Sequence, residues 1–247
     1  MRRLAMIAAV LVGALGMTWA GGAQSGDMMG PMAPTGSMSA GHGGHMGTHM
    51  MLTAARPMKP GDQERADAVA KAAKAAIEPY KDYKKALADG FQIFMPELPQ
   101  KMYHFTNYQR GIEAAMSFDP SAPTSLLYEK TADGGYKLIG AMYTDRQHAT
   151  EWDLNERIPL SIARWHQHTN FCRAPQGHQS EYFGKDAKFG LLGSISTKEA
   201  CEAVGGQFIP TVFGWMVHVY PFEKDPKQVW SIDRDDDSDG NMTGMKM

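Results

Sequence analysis

The sequence predicts an α+β fold in which one N-terminal helix packs on a mainly antiparallel β-sheet with short connecting helices. Three observations carry this prediction: one long helical pattern begins near residue 61, short β-prone segments follow residue 91, and brief capped helical segments lie between them. Hydrophobic residues make up 43% of the 247 residues and aromatic residues 10%, as in folded globular proteins. Residues 61–232 are therefore expected to form a single globular domain.

The helical pattern spans residues 61–90, "GDQERADAVAKAAKAAIEPYKDYKKALADG". Asp62 is a suitable N-cap, and Gly90 is a suitable C-terminal stop. The apolar residues fall near one face of the helix, which indicates packing against a core. Pro79 is expected to kink or divide the helix, because proline removes a backbone donor.

The sheet begins with a predicted hairpin at residues 125–144, "SLLYEKTADGGYKLIGAMYT". Its turn residues, Asp-Gly-Gly at 133–135, tolerate positive φ between two β-prone runs. A short helix is expected next in "ATEWDLNERI", where Thr150 and Asp153 have the spacing of a capping pair.

Two further strand patterns flank another short helix. "SIARWHQHTNFC" reads as a strand, and "STKEACEAVGG" as a capped helix that ends in glycine. "QFIPTVFGWMVHVYPF" is the last strand pattern, partly broken by Pro210 and Gly214. No internal repeat is evident in the chain.

Residues 1–23 have the pattern of a secretory signal peptide. Two arginines precede an apolar run of about 16 residues, and small residues follow it. The run is short for a membrane span, which needs about 20 apolar residues. We therefore expect an exported, periplasmic or secreted protein with no stable membrane span after cleavage, and an uncleaved anchor is the alternative.

Residues 24–60 are expected to be a flexible linker rich in Met, His and Gly. Residues 26–58 hold eight methionines and three histidines and show no apolar periodicity. Thioether sulfur prefers Cu(I), and imidazole accepts copper and zinc, so this segment either captures metal or is a plain spacer. The residues that could capture metal are His42, His45, His49, Met46, Met50 and Met51. At the other end, residues 233–247 are expected to be an acidic, methionine-containing tail.

Cys172 and Cys201 are the two cysteines of the chain. In an oxidising compartment two thiols tend to pair, so a disulfide is the simplest interpretation. The alternative makes one of them a thiolate ligand of copper or zinc.

The histidines of the folded region supply a candidate metal site. His166 and His168 are two residues apart in a predicted strand, so their side chains point to the same face and can chelate one ion. His218 and His104 lie in aromatic, apolar segments, where a buried imidazole needs a partner. If the strand of His218 pairs with that of His166, three imidazoles share a face, and His104 is a fourth ligand, a supporting group or a structural core residue.

Several other functions find no support in composition or motifs. The formal net charge is −2, so there is no basic field that would hold nucleic acid. The motifs of nucleophile elbows, phosphate-binding loops, dinucleotide sites, haem attachment and HExxH zinc sites are absent from the sequence.

Five segments resemble a group of exported bacterial proteins to which no activity is assigned. They are "MYHFTNYQRG", "FDPSAPTSLLYEK", "GAMYT", "LNERIPLSIARWHQHTNFC" and "GWMVHVYPFE". The resemblance implies export and a single domain, and it implies no reaction.

The sequence thus favours an exported metal-binding protein that takes part in metal handling, with copper the first choice and zinc or iron next. One alternative is a mononuclear metalloenzyme, in which a three-histidine ion with an open position activates water or dioxygen. The other is an envelope protein without metal, in which the histidines are structural. The protein partner, if there is one, is not identifiable from the residues.

Overall fold

The structure, a computed structural model, describes residues 46–97 and 100–232, all of them within one compact unit. The α+β class and the mainly antiparallel sheet are confirmed, since every strand pairing in these residues is antiparallel. The strands are β1 (Met50–Leu52), β2 (Gln92–Ile93), β3 (Tyr103–Thr106), β4 (Ser125–Lys130), β5 (Tyr136–Asp145), β6 (His166–Arg173), β7 (Gln207–Thr211) and β8 (Trp215–Val219). The helices are α1 (Met46–His49), α2 (Asp62–Ile77), α3 (Tyr83–Ala88), α4 (Tyr108–Ala114), α5 (Glu151–Arg157), α6 (Lys198–Ala203) and α7 (Pro226–Val229), with 3-10 turns at Glu78–Lys81 and Gln179–Tyr182.

The sheet brings strands together that are far apart in the sequence. Its order is β1-β6-β8-β5-β4-β3-β2, and β7 pairs with the second half of β6. Because β8 inserts between β5 and β6, the His218 strand borders the His166 strand.

One face of the sheet packs on helix α2 and forms the main core. The helix contributes its apolar stripe of Ala66, Val69, Ala73 and Ile77, all of them buried. Alternate residues of the strands complete this core, among them Tyr103, Phe105, Leu126, Tyr128, Ala141, Tyr143, Trp165, Val217 and Val219. The opposite face carries the residues in between, because side chains alternate along a strand.

The predicted helix of residues 61–90 is divided as expected at Pro79. Helix α2 ends at Ile77, and Pro79 lies in the 3-10 turn that precedes α3. The predicted N-cap is wrong by one residue: Gly61 caps α2 with φ 87°, and Asp62 is the first helical residue. Glycine fits the cap because the backbone enters the helix in a left-handed conformation, which a residue with a Cβ rarely adopts.

The hairpin and the short capped helices are also confirmed. β4 and β5 are joined through Gly134, which has φ 82°. Thr150 and Asp153 form a complete capping box at the start of α5, and Thr197 caps α6.

A bulge bends the middle of the sheet. The register between β4 and β5 shifts at Leu127 and Tyr128, so β5 has one residue more than its partner there. Gly140 lies at this point, and a Cβ on it would meet the Val219 carbonyl oxygen at 2.4 Å and the Tyr220 ring at 2.9 Å. Glycine is therefore required for the close approach of β8 to β5.

The folded region begins earlier than the sequence predicted. Residues 46–60 were assigned to the linker, but Met50–Leu52 form β1 and pair with residues 166–168 of β6. A three-residue strand has no periodicity to detect, and it is stable only because β6 supplies its hydrogen bonds.

Several expectations concern residues outside the described ranges. These are the signal peptide of residues 1–23, the linker up to residue 45 with His42 and His45, the side chain of Met46, and the tail of residues 233–247. In the part of the chain that is described, no helix is both long enough and apolar enough to span a bilayer.

A candidate metal site on the histidine and methionine face of the sheet

The four candidate histidines share the sheet face opposite the main core. His166 and His168 come from β6, His218 from β8 and His104 from β3. Trp165 and Gln167 are buried and alternate with the β6 histidines, as the HxH spacing predicts.

The imidazole rings form a row in the order His104, His218, His166, His168. The ring centroids of successive members are 5.3, 5.1 and 5.5 Å apart. Imidazoles that bind one tetrahedral ion through nitrogen, with bonds of about 2.0–2.1 Å, have ring centres about 5 Å apart. Each neighbouring pair therefore has the separation of two ligands of one ion.

His104 and His218 form the closest pair, with their Nε2 atoms 3.3 Å apart. In the absence of metal, one Nε2–H can donate to the lone pair of the other ring. Two nitrogens bound to one tetrahedral ion would also lie about 3.3 Å apart. The same geometry thus suits a hydrogen bond or a shared ion.

The meeting of these two rings requires a curved sheet. β4 and β5 separate β3 from β8, and three strand steps of about 4.8 Å would put the strands about 14 Å apart in a flat sheet. Two extended imidazole side chains and a hydrogen bond cannot span that distance. The bulge at Leu127 and the close approach at Gly140 supply the bend, so this face is concave.

The middle of the row is buried, and both of its ends are closer to solvent. His166 and His218 are 2% and 6% exposed, whereas His104 and His168 are half-buried. Next to His168 lies Phe213, whose ring centroid is 6.2 Å away, and Phe94 contacts Phe213 in turn. The Phe213 ring, with Phe94 behind it, thus borders the His168 end of the row.

Within residues 46–97 and 100–232, no group of three or more His, Cys, Asp or Glu side chains has the arrangement to hold a metal ion. The rings form a row and do not all converge on one point. A third ligand to an ion at the His104 and His218 pair would require a side-chain rotation or a different kind of donor.

Methionine is that other kind of donor, and the strand pairing shows where it lies. The register places Met142 directly opposite His218, Met216 opposite His166 and Met50 opposite His168. Directly opposed side chains in an antiparallel pair have Cβ atoms about 4.5–5.5 Å apart. Each histidine of β6 and β8 thus has a methionine as its cross-strand neighbour.

A small second core surrounds these methionines. Met102, Met142 and Met216 are buried with Leu127, Ile139 and Tyr220. The Tyr220 hydroxyl donates to Met102 Sδ at 3.6 Å, and the Tyr220 ring lies 6.3 Å from that of His218. The sequence spacing already put Met216 and Tyr220 beside His218, but Met142 could be found only from the pairing of β5 with β8.

Three residues of the predicted metal-capture set, His49, Met50 and Met51, have side chains in the described ranges, and their surroundings differ. His49 is buried, and its Nε2 lies 2.7 Å from the Gly193 carbonyl oxygen, so it fastens the start of β1 to a distant loop. Met51 is exposed, and Met50 belongs to the histidine face. His49 is therefore part of the folded region, and metal capture by this residue stays a prediction.

The predicted disulfide between Cys172 and Cys201 is confirmed, with the two Cα atoms 5.6 Å apart. It joins the end of β6 to α6 and leaves no thiol for a metal. His148 and His178 are exposed, in agreement with their polar surroundings in the sequence.

Comparison with protein-family models, with curated proteins and with solved structures finds no significant match to the chain.

Proposed function

We propose that this is an exported metal-binding protein that takes part in metal handling, with copper the first choice and zinc or iron next. His104, His166, His168 and His218 are its candidate ligands. The observation that carries the proposal is the 3.3 Å separation of the His104 and His218 Nε2 atoms, with the His166 ring 5.1 Å from that of His218.

The sheet geometry supports the proposal because histidines from three strands gather on one concave face. β3, β6 and β8 are far apart in the sequence, and the two middle histidines are buried. Neutral imidazole is a ligand for copper, zinc and iron, and burial shields a bound ion from competing water. Export is supported by the basic, apolar and small-residue order of residues 1–23.

A structural role for the histidines is the second candidate, and a specific observation favours it. The His104 and His218 contact is also a normal hydrogen-bond length, and no triad of His, Cys, Asp or Glu in the described ranges has metal-binding geometry. On this view His104 and His218 are hydrogen-bond partners of each other, beside the Tyr220 ring of the second core.

The test is metal retention by the full-length protein. Purified, untagged protein is incubated at neutral pH with copper, zinc or iron and dialysed, and its metal content is measured. The paired substitutions His104→Asn/His218→Asn are expected to lower affinity by about tenfold or more, because loss of even an outer partner of a metal site costs that much.

The matched control replaces two exposed histidines, His148 and His178, by asparagine. It removes the same number of imidazoles and is expected to leave affinity unchanged. Far-ultraviolet circular dichroism verifies that both variants fold. A wild-type protein that retains none of the three metals would refute the proposal, as would equal affinities in wild type and the His104/His218 variant.

A further inference from the structure

The methionines opposite the histidines point to the oxidation state of the metal. We infer that the site takes copper(I), with Met142 and Met216 sulfur atoms as ligands beside the imidazoles. The inference rests on the proposed function and deepens it, since it names the ion and adds a second kind of donor.

The pairing along the sheet carries the first step. Met142 opposes His218 between β5 and β8, and Met216 opposes His166 between β6 and β8. Both methionines are buried in the second core, on the same face as the histidine row. Each of the His218 and His166 rings thus has one methionine as its cross-strand neighbour, and the flexible methionine side chain can turn its sulfur towards an ion held by these rings.

The chemistry of the donors carries the second step. Thioether sulfur is a soft ligand that selects Cu(I), whereas zinc prefers imidazole, thiolate and carboxylate. Both cysteines are joined in the disulfide, so thiolate is not available. Sulfur from the sheet can therefore come only from methionine.

A purely apolar role for these methionines makes a different prediction. Leucine has nearly the same volume as methionine and packs as well in a core, but it has no sulfur. Met142→Leu/Met216→Leu therefore separates ligation from packing. Met116→Leu is the matched control, because Met116 is 77% exposed, follows helix α4 and does not belong to the second core.

The full-length variants are titrated with Cu(I) under anaerobic conditions against a chromogenic Cu(I) chelator, with ascorbate as a reductant that leaves the disulfide intact, and with Zn(II) in a separate competition. The thermal unfolding midpoint is measured with each metal. A metal raises this midpoint only if it binds the folded state more tightly. The midpoint therefore reports the sheet site, whereas a linker would bind in folded and unfolded chains alike.

We expect Met142→Leu/Met216→Leu to weaken Cu(I) binding by about tenfold or more, to shrink the Cu(I)-induced rise in the midpoint, and to change Zn(II) affinity by less than about twofold. The Met116→Leu variant should match wild type. If the double variant binds Cu(I) as tightly as wild type while His104→Asn/His218→Asn does not, sulfur ligation is refuted and the proposed function survives. If Cu(I), Zn(II) and iron all fail to stabilise the wild-type protein, sulfur ligation and the proposed function are both refuted.

Discussion

At the scale of single residues, Asp62 shows how one carboxylate joins two segments of the core. Its Oδ2 accepts a hydrogen bond from the Ser161 hydroxyl at 2.5 Å and another from the Lys59 backbone N–H at 2.9 Å. These bonds, chiefly that from Ser161, hold the pKa of Asp62 below its usual value. The start of helix α2 is thereby tied to the turn that leads into β6.

Removal of the serine hydroxyl should make stability less dependent on pH. The folded-state pKa of Asp62 is lowered, so the ionised carboxylate contributes to the free energy of unfolding. This contribution is fully present above the unfolded pKa of about 3.9, and it is lost as the pH falls through the folded-state pKa. We expect Ser161→Ala to lower the urea midpoint at pH 7, and the difference from wild type to shrink below about pH 4.

Urea unfolding at pH 7, 4 and 3 measures this effect. Exposed Ser180 serves as the control, and Ser180→Ala should leave the midpoint unchanged at every pH. A Ser161→Ala difference that stays constant across the three pH values would show that the charge of Asp62 is not involved.

At the scale of elements, the curvature of the sheet decides whether the histidines meet. The bulge opposite Leu127 and the contact of Gly140 with Val219 bend β5 towards β8. His104 on β3 can then contact His218 across two intervening strands. The site is therefore a property of the bent sheet, and no single strand contains it.

Gly140→Ala tests the role of this bend. The new Cβ would meet the Val219 carbonyl oxygen at 2.4 Å, a backbone atom that cannot move aside without displacing β8. We expect a loss of about 1–3 kcal/mol in the free energy of unfolding, as for other overpacked positions, and weaker metal binding.

Chemical unfolding and metal titration of the variant measure both effects. Gly47→Ala is the control, because a Cβ at Gly47 would have nothing within 4 Å. Unchanged stability and metal affinity in Gly140→Ala would mean that the sheet does not depend on this close approach.

At the scale of the whole molecule, the Cys172–Cys201 disulfide links the end of the histidine strand to α6. The bond is buried, and a Cβ on Gly206 would lie 2.7 Å from Cys172 Sγ, so the surrounding loop is packed tightly around it. The disulfide thus closes the long connection between β6 and β7.

Cys172→Ala/Cys201→Ala should lower the free energy of unfolding by about 3–4 kcal/mol, because a disulfide that closes a loop of this length reduces the conformational entropy of the unfolded chain. Urea unfolding with and without a reductant measures the loss. Wild-type protein with the reductant should approach the variant, and the variant should not respond to it. A reductant that destabilises the variant equally would contradict this explanation.

Much of the fold could be predicted from local patterns. The division of the helix at Pro79, the turn at Gly134 and the capping box at Thr150 each depend on a few neighbouring residues. The strand Met50–Leu52, inside the predicted linker, was not expected, because its hydrogen bonds come from β6, more than one hundred residues away. The prediction of Asp62 as the N-cap was wrong by one residue, because the left-handed conformation of Gly61 depends on how the chain enters the helix.

The candidate site also has some features that local patterns predicted and others that depend on distant segments. Local patterns predicted that His166 and His168 share a face and that Met216 and Tyr220 lie beside His218, because side chains alternate along a strand. Thiol chemistry in an oxidising compartment favoured a disulfide between the two cysteines over a thiolate ligand. The contact of His104 with His218, and the positions of Met142 and Met216 opposite His218 and His166, became known from the strand pairing of the folded chain. Strand order, register and curvature arise from hydrogen bonds and packing between distant segments, and no local pattern encodes them.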